Sequence, residues 1–362
     1  MTVARAEPLP REASWERDLP VRVEELGPGL EGAWDELVAA SPGSSPFHLL
    51  GWRHAVEKTF GYRPFYLVAR RGCRLVGLLP LFETRSPLAG HALVSLPFAI
   101  RGGVVAEDDS AAAALVVAAR RLAERCGVDY LELRSAKGLD PLRLQLQTRR
   151  LYVTFRADLT RGEEYLLRRM DRKRRQMLTR AARDGYEARV EGPAALPEFY
   201  RLFCLSMRRH GTPPYPRAFL AEILARLPGN LFFVYRGGRA VAGVLNLLHQ
   251  GALMPFYAGS ASPRPRGADD FMYWSLMRWA REQGCHSFDF GRSRLGTGAC
   301  DYKRRWGMDE VPLAYQYQLI EGRALPDATP GNPRYAPLLA LWRRLPLPVT
   351  RWLGAPIIKR LP

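Results

Sequence analysis

The stretch RWAREQGCHSFDFG, residues 278–291, reads as the end of a helix, a glycine stop at Gly284 and a short strand closed by Asp289. An earlier stretch, RLAERCGVDYLELR at 121–134, has the same plan. Laid together, Gly127 matches Gly284, Leu131 matches Phe288, Glu132 matches Asp289 and Leu133 matches Phe290. A hairpin precedes each copy: FYLVARRGCRLVGLLPLF (65–82) turns at Gly72, and LFFVYRGGRAVAGVLNLL (231–248) turns at Gly237-Gly238, both within R-G-x-R. A hairpin followed by a helix–strand unit, repeated in order, is the mark of an internal duplication. The expected fold is therefore α/β with mixed sheets, built as two similar domains in tandem.

The expected divisions are a flexible leader at 1–19, a first domain at 20–160, a second at 161–325 and a basic amphipathic tail at 326–362. Periodicity predicts, in the first domain, a hairpin (64–82), a strand (92–97), a helix (110–126) and strands at 129–134 and 151–158. In the second it predicts a helix (163–184), a strand (186–191), helices at 196–210 and 216–227, a hairpin (231–249), a strand (252–259), a helix (269–283) and strands at 286–290 and 311–320.

Composition narrows the function. The 362 residues carry 54 Lys and Arg against 36 Asp and Glu, a net charge of +18. Such an excess calls for a polyanionic partner: nucleic acid, an anionic membrane surface or a phosphorylated substrate. The alternative is a generally arginine-rich surface. Five scattered cysteines without a C-x-x-C pair, and six scattered histidines, predict neither a metal site nor a disulfide framework, and fit a reducing cytoplasm. No run is apolar enough to span a bilayer, and the first residues have no signal-peptide core.

The charge is concentrated. Between Arg168 and Arg183 stand eight cations, including Arg172, Lys173, Arg174 and Arg175, against Asp171 alone. Leu166, Met170, Met177 and Ala181 recur at helical spacing, so one face packs while the rest stays charged. Crowded like charges on a helix repel. Phosphate contact, for a donor, is the expectation, and a solvated surface helix is the alternative. The tail, GNPRYAPLLALWRRLPLPVTRWLGAPIIKRLP, has six basic residues and no acid. It suits either an interfacial membrane segment or a clasp across the first domain.

Past Asp289 the chain reads FDFGRSRLGTGACDYKRRWG (288–307), a glycine-rich break followed by Lys303, Tyr302 and Trp306. This segment, with R-K-R-R-x-x-x-x-x-A-x-x-x-G-Y at 172–186, SLPFAIRGGVV at 95–105, CLSMRRHGTPPYP at 204–216 and YWSLMRWA at 273–280, resembles the Fem-type transferases, in particular the FemAB-like branch associated with exosortase/PEP-CTERM systems. The resemblance covers about residues 45–320 and implies two tandem GNAT-like domains. It further implies an N-acyltransferase that moves an aminoacyl or acyl group, with aminoacyl-tRNA or acyl-CoA as co-substrate and no tightly bound cofactor. The acceptor would be an amine on a cell-envelope, peptidoglycan or exopolysaccharide precursor. The expected location is cytoplasmic, peripheral on the inner membrane through 331–362.

By the same resemblance Lys303 is the cation that stabilises the oxyanion of acyl transfer. Asp289 is the first candidate for a general base, ahead of Asp301, His210 and His249; a structural role for it, or substrate-assisted proton transfer, stays open. Arg101, Arg208, His210, Tyr257, Arg292 and Tyr302 are candidate substrate-binding residues. The segment SPRPRGADDFMYW (262–274) stands where a CoA pyrophosphate loop would, yet has one glycine and two acids, Asp269 and Asp270, which argues against an ordinary CoA site. The rival functions are an acetyl-CoA-type GNAT acetyltransferase and a non-catalytic RNA- or envelope-binding scaffold.

Overall fold

A glycine ends the repeated helix in both copies. Gly127 follows the first with φ 60°, and Gly284 follows the second with φ 78°, left-handed values that release the chain into the next strand. A computed structural model describes residues 19–135, 138–320 and 336–361. Most of the expected leader and residues 326–335 of the expected tail lie outside them.

The chain opens with β1 (Arg22–Glu25), α1 (Glu31–Ala40) and α2 (Leu50–Phe60). The first repeat is β2 (Arg63–Arg71), β3 (Arg74–Ser86), β4 (Gly90–Val94), the short β5 (Val105–Ala106), α3 (Asp109–Cys126) and β6 (Tyr130–Ser135), followed by β7 (Gln147–Asp158). Then come α4 (Gly162–Arg169), α5 (Arg172–Arg183), β8 (Tyr186–Glu191), α6 (Leu196–His210) and α7 (Arg217–Arg226). The second repeat is β9 (Gly229–Arg236), β10 (Arg239–His249), β11 (Ala252–Ser260), α8 (Ala268–Glu282) and β12 (Ser287–Asp289), followed by β13 (Ser293–Arg294), α9 (Gly298–Arg304) and β14 (Asp309–Leu319). The chain closes with α10 (Ala336–Arg344) and α11 (Leu347–Ile358).

The helix expected over 163–184 is two. Met170 and Asp171 are extended (ψ 148° each), and the Asp171 carboxylate accepts from the Arg174 N–H at 3.0 Å, capping a new helix. In each repeat a hairpin is joined by a third strand, and a helix then returns the chain to a parallel neighbour: β4 pairs β6 at Ala92–Val94, and β11 pairs β12 at Ala252 and Leu253.

Among the described residues all the strands belong to one sheet, whose main path runs β1-β2-β3-β4-β6-β14-β7-β12-β11-β10-β9-β8. The two repeats trade their last strands. β7, which follows the first repeat, pairs with β12 of the second; β14, which follows the second, lies between β6 and β7, antiparallel to both. Alternation along the strands separates two faces. On one, α1, α2, α6 and α7 share a core that includes Trp34, Trp52, Phe60, Phe199 and Phe219. On the other, α3 covers the first repeat, and α4, α5 and α8 cover the second.

Candidate active site

β11 and β12 part after Leu253 and Phe288. β12 ends at Asp289 while β11 continues against β10 to Ser260. Inside this stretch the β10–β11 register passes from Leu245–Tyr257 to Asn246–Pro255, leaving Phe256 as the extra residue of a bulge. A bulge leaves a residue unpaired in the ladder and re-aims its backbone. The mouth of the splay is closed by the first half: a Cβ on Gly291 would stand 2.9 Å from Ile100 Cδ1 of the 95–103 loop, and its φ of 71° favours glycine there. Tyr315 donates to the Ile100 carbonyl at 2.9 Å, and Arg292 donates to the Tyr315 hydroxyl at 3.1 Å while stacking on Tyr152 at 4.9 Å. Tyr257 stands at the same splay, its ring 4.9 Å from that of Tyr215. The splay thus gathers Arg292 and Tyr257.

Lys303 is placed differently from the expectation. The glycine-rich segment closes into α9, where the Thr297 hydroxyl accepts from the Cys300 N–H at 3.3 Å, and Lys303 sits in the last turn. Its Nζ donates to the carbonyls of Phe290 (2.7 Å), Gly291 (3.0 Å) and Arg292 (3.4 Å). An ammonium has three donors, and all three are spent on the backbone of the turn. Lys303 therefore staples the wall of the splay, and a direct contact with a reacting carbonyl is not what this geometry offers. Burial, the largest influence, lowers it from 10.5 to about 8, with the nearby Asp289 pulling the other way.

Asp289 is held on all sides by its neighbours. It is buried, and its oxygens accept from the Thr154 hydroxyl, from Arg156 Nε at 3.0 Å and from the Gly291 N–H at 2.9 Å, with Arg101 3.6 Å away. Little acceptor capacity is left for an incoming amine. The carboxylate organises the turn and holds two arginines. Its counterpart Glu132 plays a similar part, bound at 2.7 Å to Arg134, whose other donors reach the carbonyls of Leu96 and Ala99.

Arg101 does belong to a concavity. With Arg156 it lines a cavity of about 170 Å³ beneath His249 and Asp289, and both continue into a groove of about 960 Å³ between the end of α1, the start of α3 and β14. The Arg101 Nε is buried without a partner. His249 bonds the Ser44 hydroxyl at 2.7 Å, and burial together with Arg101 lowers it to about 4, so it is neutral at ordinary pH. His48 fixes the loop beneath: its Nδ1 accepts from the Ser45 N–H at 3.1 Å, which places the ring proton on Nε2, 3.0 Å from the Gly103 carbonyl.

The remaining candidates scatter. Arg174 is tucked in an ion pair with Asp270 and lies over Tyr302 at 4.3 Å, and Tyr302 donates to the same carboxylate at 2.9 Å. Arg174 of α5 and Tyr302 of α9 thus both pack on Asp270 of α8, neither phosphate nor substrate ligands in this arrangement. Arg175 caps the end of α4 through the Leu167 and Met170 carbonyls. Arg172 and Lys173 remain exposed, and with Arg180 and Arg183 they form the free cationic face of α5. Arg208 donates to the Leu345 carbonyl at 3.4 Å and so binds the tail instead of a substrate; the exposed His210 lies beside it, its carbonyl facing Arg343. Arg156, Thr154 and Tyr315 were not singled out by sequence. Each sits in an ordinary alternating strand, and the partner that gives it meaning is more than a hundred residues away.

Residues 167–304 match the family model described as an acetyltransferase (GNAT) domain. Among solved structures the chain resembles FemX, with 14% identity, a TM-score of 0.65 and coverage of 82% of this chain and 96% of that one. It also resembles L-PGS from Bacillus licheniformis (15% identity, TM-score 0.56, 93% and 98% covered). A tandem GNAT protein from the clavulanic acid biosynthesis pathway is a further match (11% identity, TM-score 0.51, 83% and 98% covered). The fold is a tandem GNAT fold. At these identities the likeness is one of architecture. No curated protein is significantly similar in sequence.

Proposed function

We propose that the protein is an N-acyltransferase of the Fem type, which moves an aminoacyl or acyl group from an activated donor to an amine of a cell-envelope or exopolysaccharide precursor. One observation carries this reading: the β11–β12 splay, with a bulge at Phe256 on one wall and the Lys303-stapled turn on the other. In this reading the backbone freed by the bulge offers its N–H to the oxyanion formed when an ester or thioester carbonyl is held between the parted strands. The amine nitrogen forms the new C–N bond, the C–O or C–S bond of the donor breaks, and the amine's proton leaves with the departing oxygen or sulfur. Because the Asp289 oxygens are occupied, the proton passes between the substrates without a carboxylate base.

Aminoacyl-tRNA is the donor favoured by the exposed cations Arg172, Lys173, Arg180 and Arg183, for which no acidic partner is found among the described residues. A second reading, acyl-CoA, gains from the pairing of Asp269 with Arg264 and of Asp270 with Arg174. Those pairs remove much of the repulsion that two acids at the start of α8 would exert on a pyrophosphate. The finer assignment to the exosortase-associated branch rests on the sequence motifs alone. Incubation with charged tRNA, acetyl-CoA and envelope extract, followed by mass spectrometry, tests all of this. An envelope amine that gains an aminoacyl mass supports the first reading, and one that gains an acetyl mass supports the second. If no acceptor gains mass with either donor, while radiolabelled tRNA still binds, the protein is a scaffold.

A further inference from the structure

The last two helices carry a surface that acyl transfer does not use. α11 turns Thr350, Gly354 and Ile358 inward at i, i+4 and i+8, and α10 buries Trp342. The buried side is fastened along its length. A Cβ on Gly354 would stand 2.7 Å from Pro214 Cδ, so the helix lies directly on that loop. Further on, the Tyr62 hydroxyl donates to the Lys359 carbonyl, and the Ser86 hydroxyl donates to the Arg360 carbonyl at 2.6 Å. Together with the Arg208–Leu345 bond, these contacts hold the tail to both halves, where the clasp alternative expected the first domain alone.

The exposed residues of the two helices are apolar and cationic. Leu338 is 63% exposed, Leu341 59%, Val349 36% and Trp352 78%. Arg343, Arg344, Lys359 and Arg360 are exposed around them, and residues 336–361 contain no Asp or Glu. No helix among the described residues is long and apolar enough to cross a membrane. Bulky aliphatic and indole side chains flanked only by cations match an interface with an apolar interior and an anionic rim.

We propose that α10 and α11 form a pre-built docking surface for an anionic phospholipid membrane. Leu338, Leu341, Val349 and Trp352 enter the boundary between headgroups and acyl chains, and the four cations meet the phosphates. The buried side of α11 is tied to the splay, because Pro214, against which Gly354 packs, precedes Tyr215, whose ring lies 4.9 Å from that of Tyr257. The proposal is independent of the acyl-transfer reading, since binding alone reads it out.

Flotation of the full chain with phosphatidylglycerol–phosphatidylcholine vesicles, and with phosphatidylcholine alone, tests it. The protein is expected to float with the former and about tenfold less with the latter, with binding weakened by added salt. The variant Leu338→Ser/Leu341→Ser/Trp352→Ser is expected to lose about tenfold or more in partition without a change in thermal melting. Should that variant fold poorly, the fluorescence difference between wild type and Trp352→Phe isolates one indole, whose emission must shift to the blue on the anionic vesicles. Equal flotation on both vesicles overturns the proposal. So does loss of flotation that follows Arg172→Gln/Lys173→Gln/Arg180→Gln/Arg183→Gln on α5 in place of the tail variant. Concentration-dependent dimerisation through the tail with no vesicle binding would assign the surface to a second copy and overturn it as well.

Discussion

Arg156 and Asp289 are register partners on adjacent antiparallel strands, and their side chains also meet, Nε to Oδ2 at 3.0 Å. The pair joins the strand that leaves the first repeat to the strand that carries the glycine turn of the second. Arg101 approaches the same carboxylate from the first half.

Removing the carboxylate leaves two cations facing each other in a cavity. Asp289→Ala is expected to destabilise by about 2–3 kcal/mol, discounted from the cost of a fully buried pair because Arg156 is 38% exposed. Asp289→Asn keeps the acceptor for Thr154 and is expected to lose less. Denaturant melts of the two variants, alongside transfer assays, separate this role from that of a base. A base would lose nearly all turnover in the Asn variant with stability unchanged.

Lys303 has a pH signature. Its folded pKa, about 8, lies below the ordinary 10.5, so between these values the unfolded chain binds more protons. Stability contributed at this site therefore rises as pH climbs from about 8 to 10.5. In Lys303→Met, which cannot titrate, that rise is expected to be absent when melting curves of the two proteins are subtracted across the window. The same variant leaves three carbonyls unstapled, so turnover is expected to fall tenfold to a hundredfold.

His48 and His249 are both lowered to about 4 from 6.5, chiefly by burial. Below pH 6.5 the unfolded chain takes up protons that the folded chain refuses. Stability is thus expected to fall as pH drops from 6.5 towards 4, by up to about 1.4 kcal/mol per pH unit for each histidine. Chemical denaturation at a series of pH values, repeated on His249→Gln, should show a shallower slope in the variant.

The basic helix divides into two kinds of cation. Arg174→Ala strands the buried Asp270 carboxylate and is expected to cost about 3 kcal/mol. Arg172→Ala and Lys173→Ala are expected to leave melting within about 0.5 kcal/mol of wild type. They should weaken tRNA binding and flatten its salt dependence in a filter-binding assay.

Gly307 closes the Trp-Gly pair of the 288–307 segment with φ 67°, and a Cβ there would collide with the Arg169 carbonyl. Gly307→Ala is expected to destabilise by about 2–4 kcal/mol, combining left-handed strain with a backbone clash. Differential scanning calorimetry measures it.

Local signals made much of the architecture legible. The two hairpins with R-G-x-R turns, the glycine-stopped helices and the strand after each appear where periodicity placed them, because each depends on residues a few positions apart. The charge crowding of 168–183 was also visible, but its division was not. Arg174 and Arg175 differ from Arg172 and Lys173 only in which way the helix turns them, and that follows from where Asp270 and the end of α4 lie. The same holds for Lys303. Its motif is local, yet whether the ammonium meets a substrate or three carbonyls depends on α9 folding back over Phe290. α1 and α2 gave too little periodic signal to be placed, although they supply Trp34 and Trp52 to the shared core. Apart from the Gly291 N–H, the partners of Asp289 come from β7 and from the 95–103 loop, and nothing local to FDFG announces those.

The traded strands set an order on biosynthesis. β6 and β7 emerge from the ribosome early, but the strand that fills the space between them, β14, is made after nearly all of the second repeat. Until Asp309 and its successors arrive, both ladders stand with bare edges, open to any stray extended segment. A polypeptide truncated before that point, or cut near residue 160 to isolate either repeat, is left with an unfilled seam at its centre.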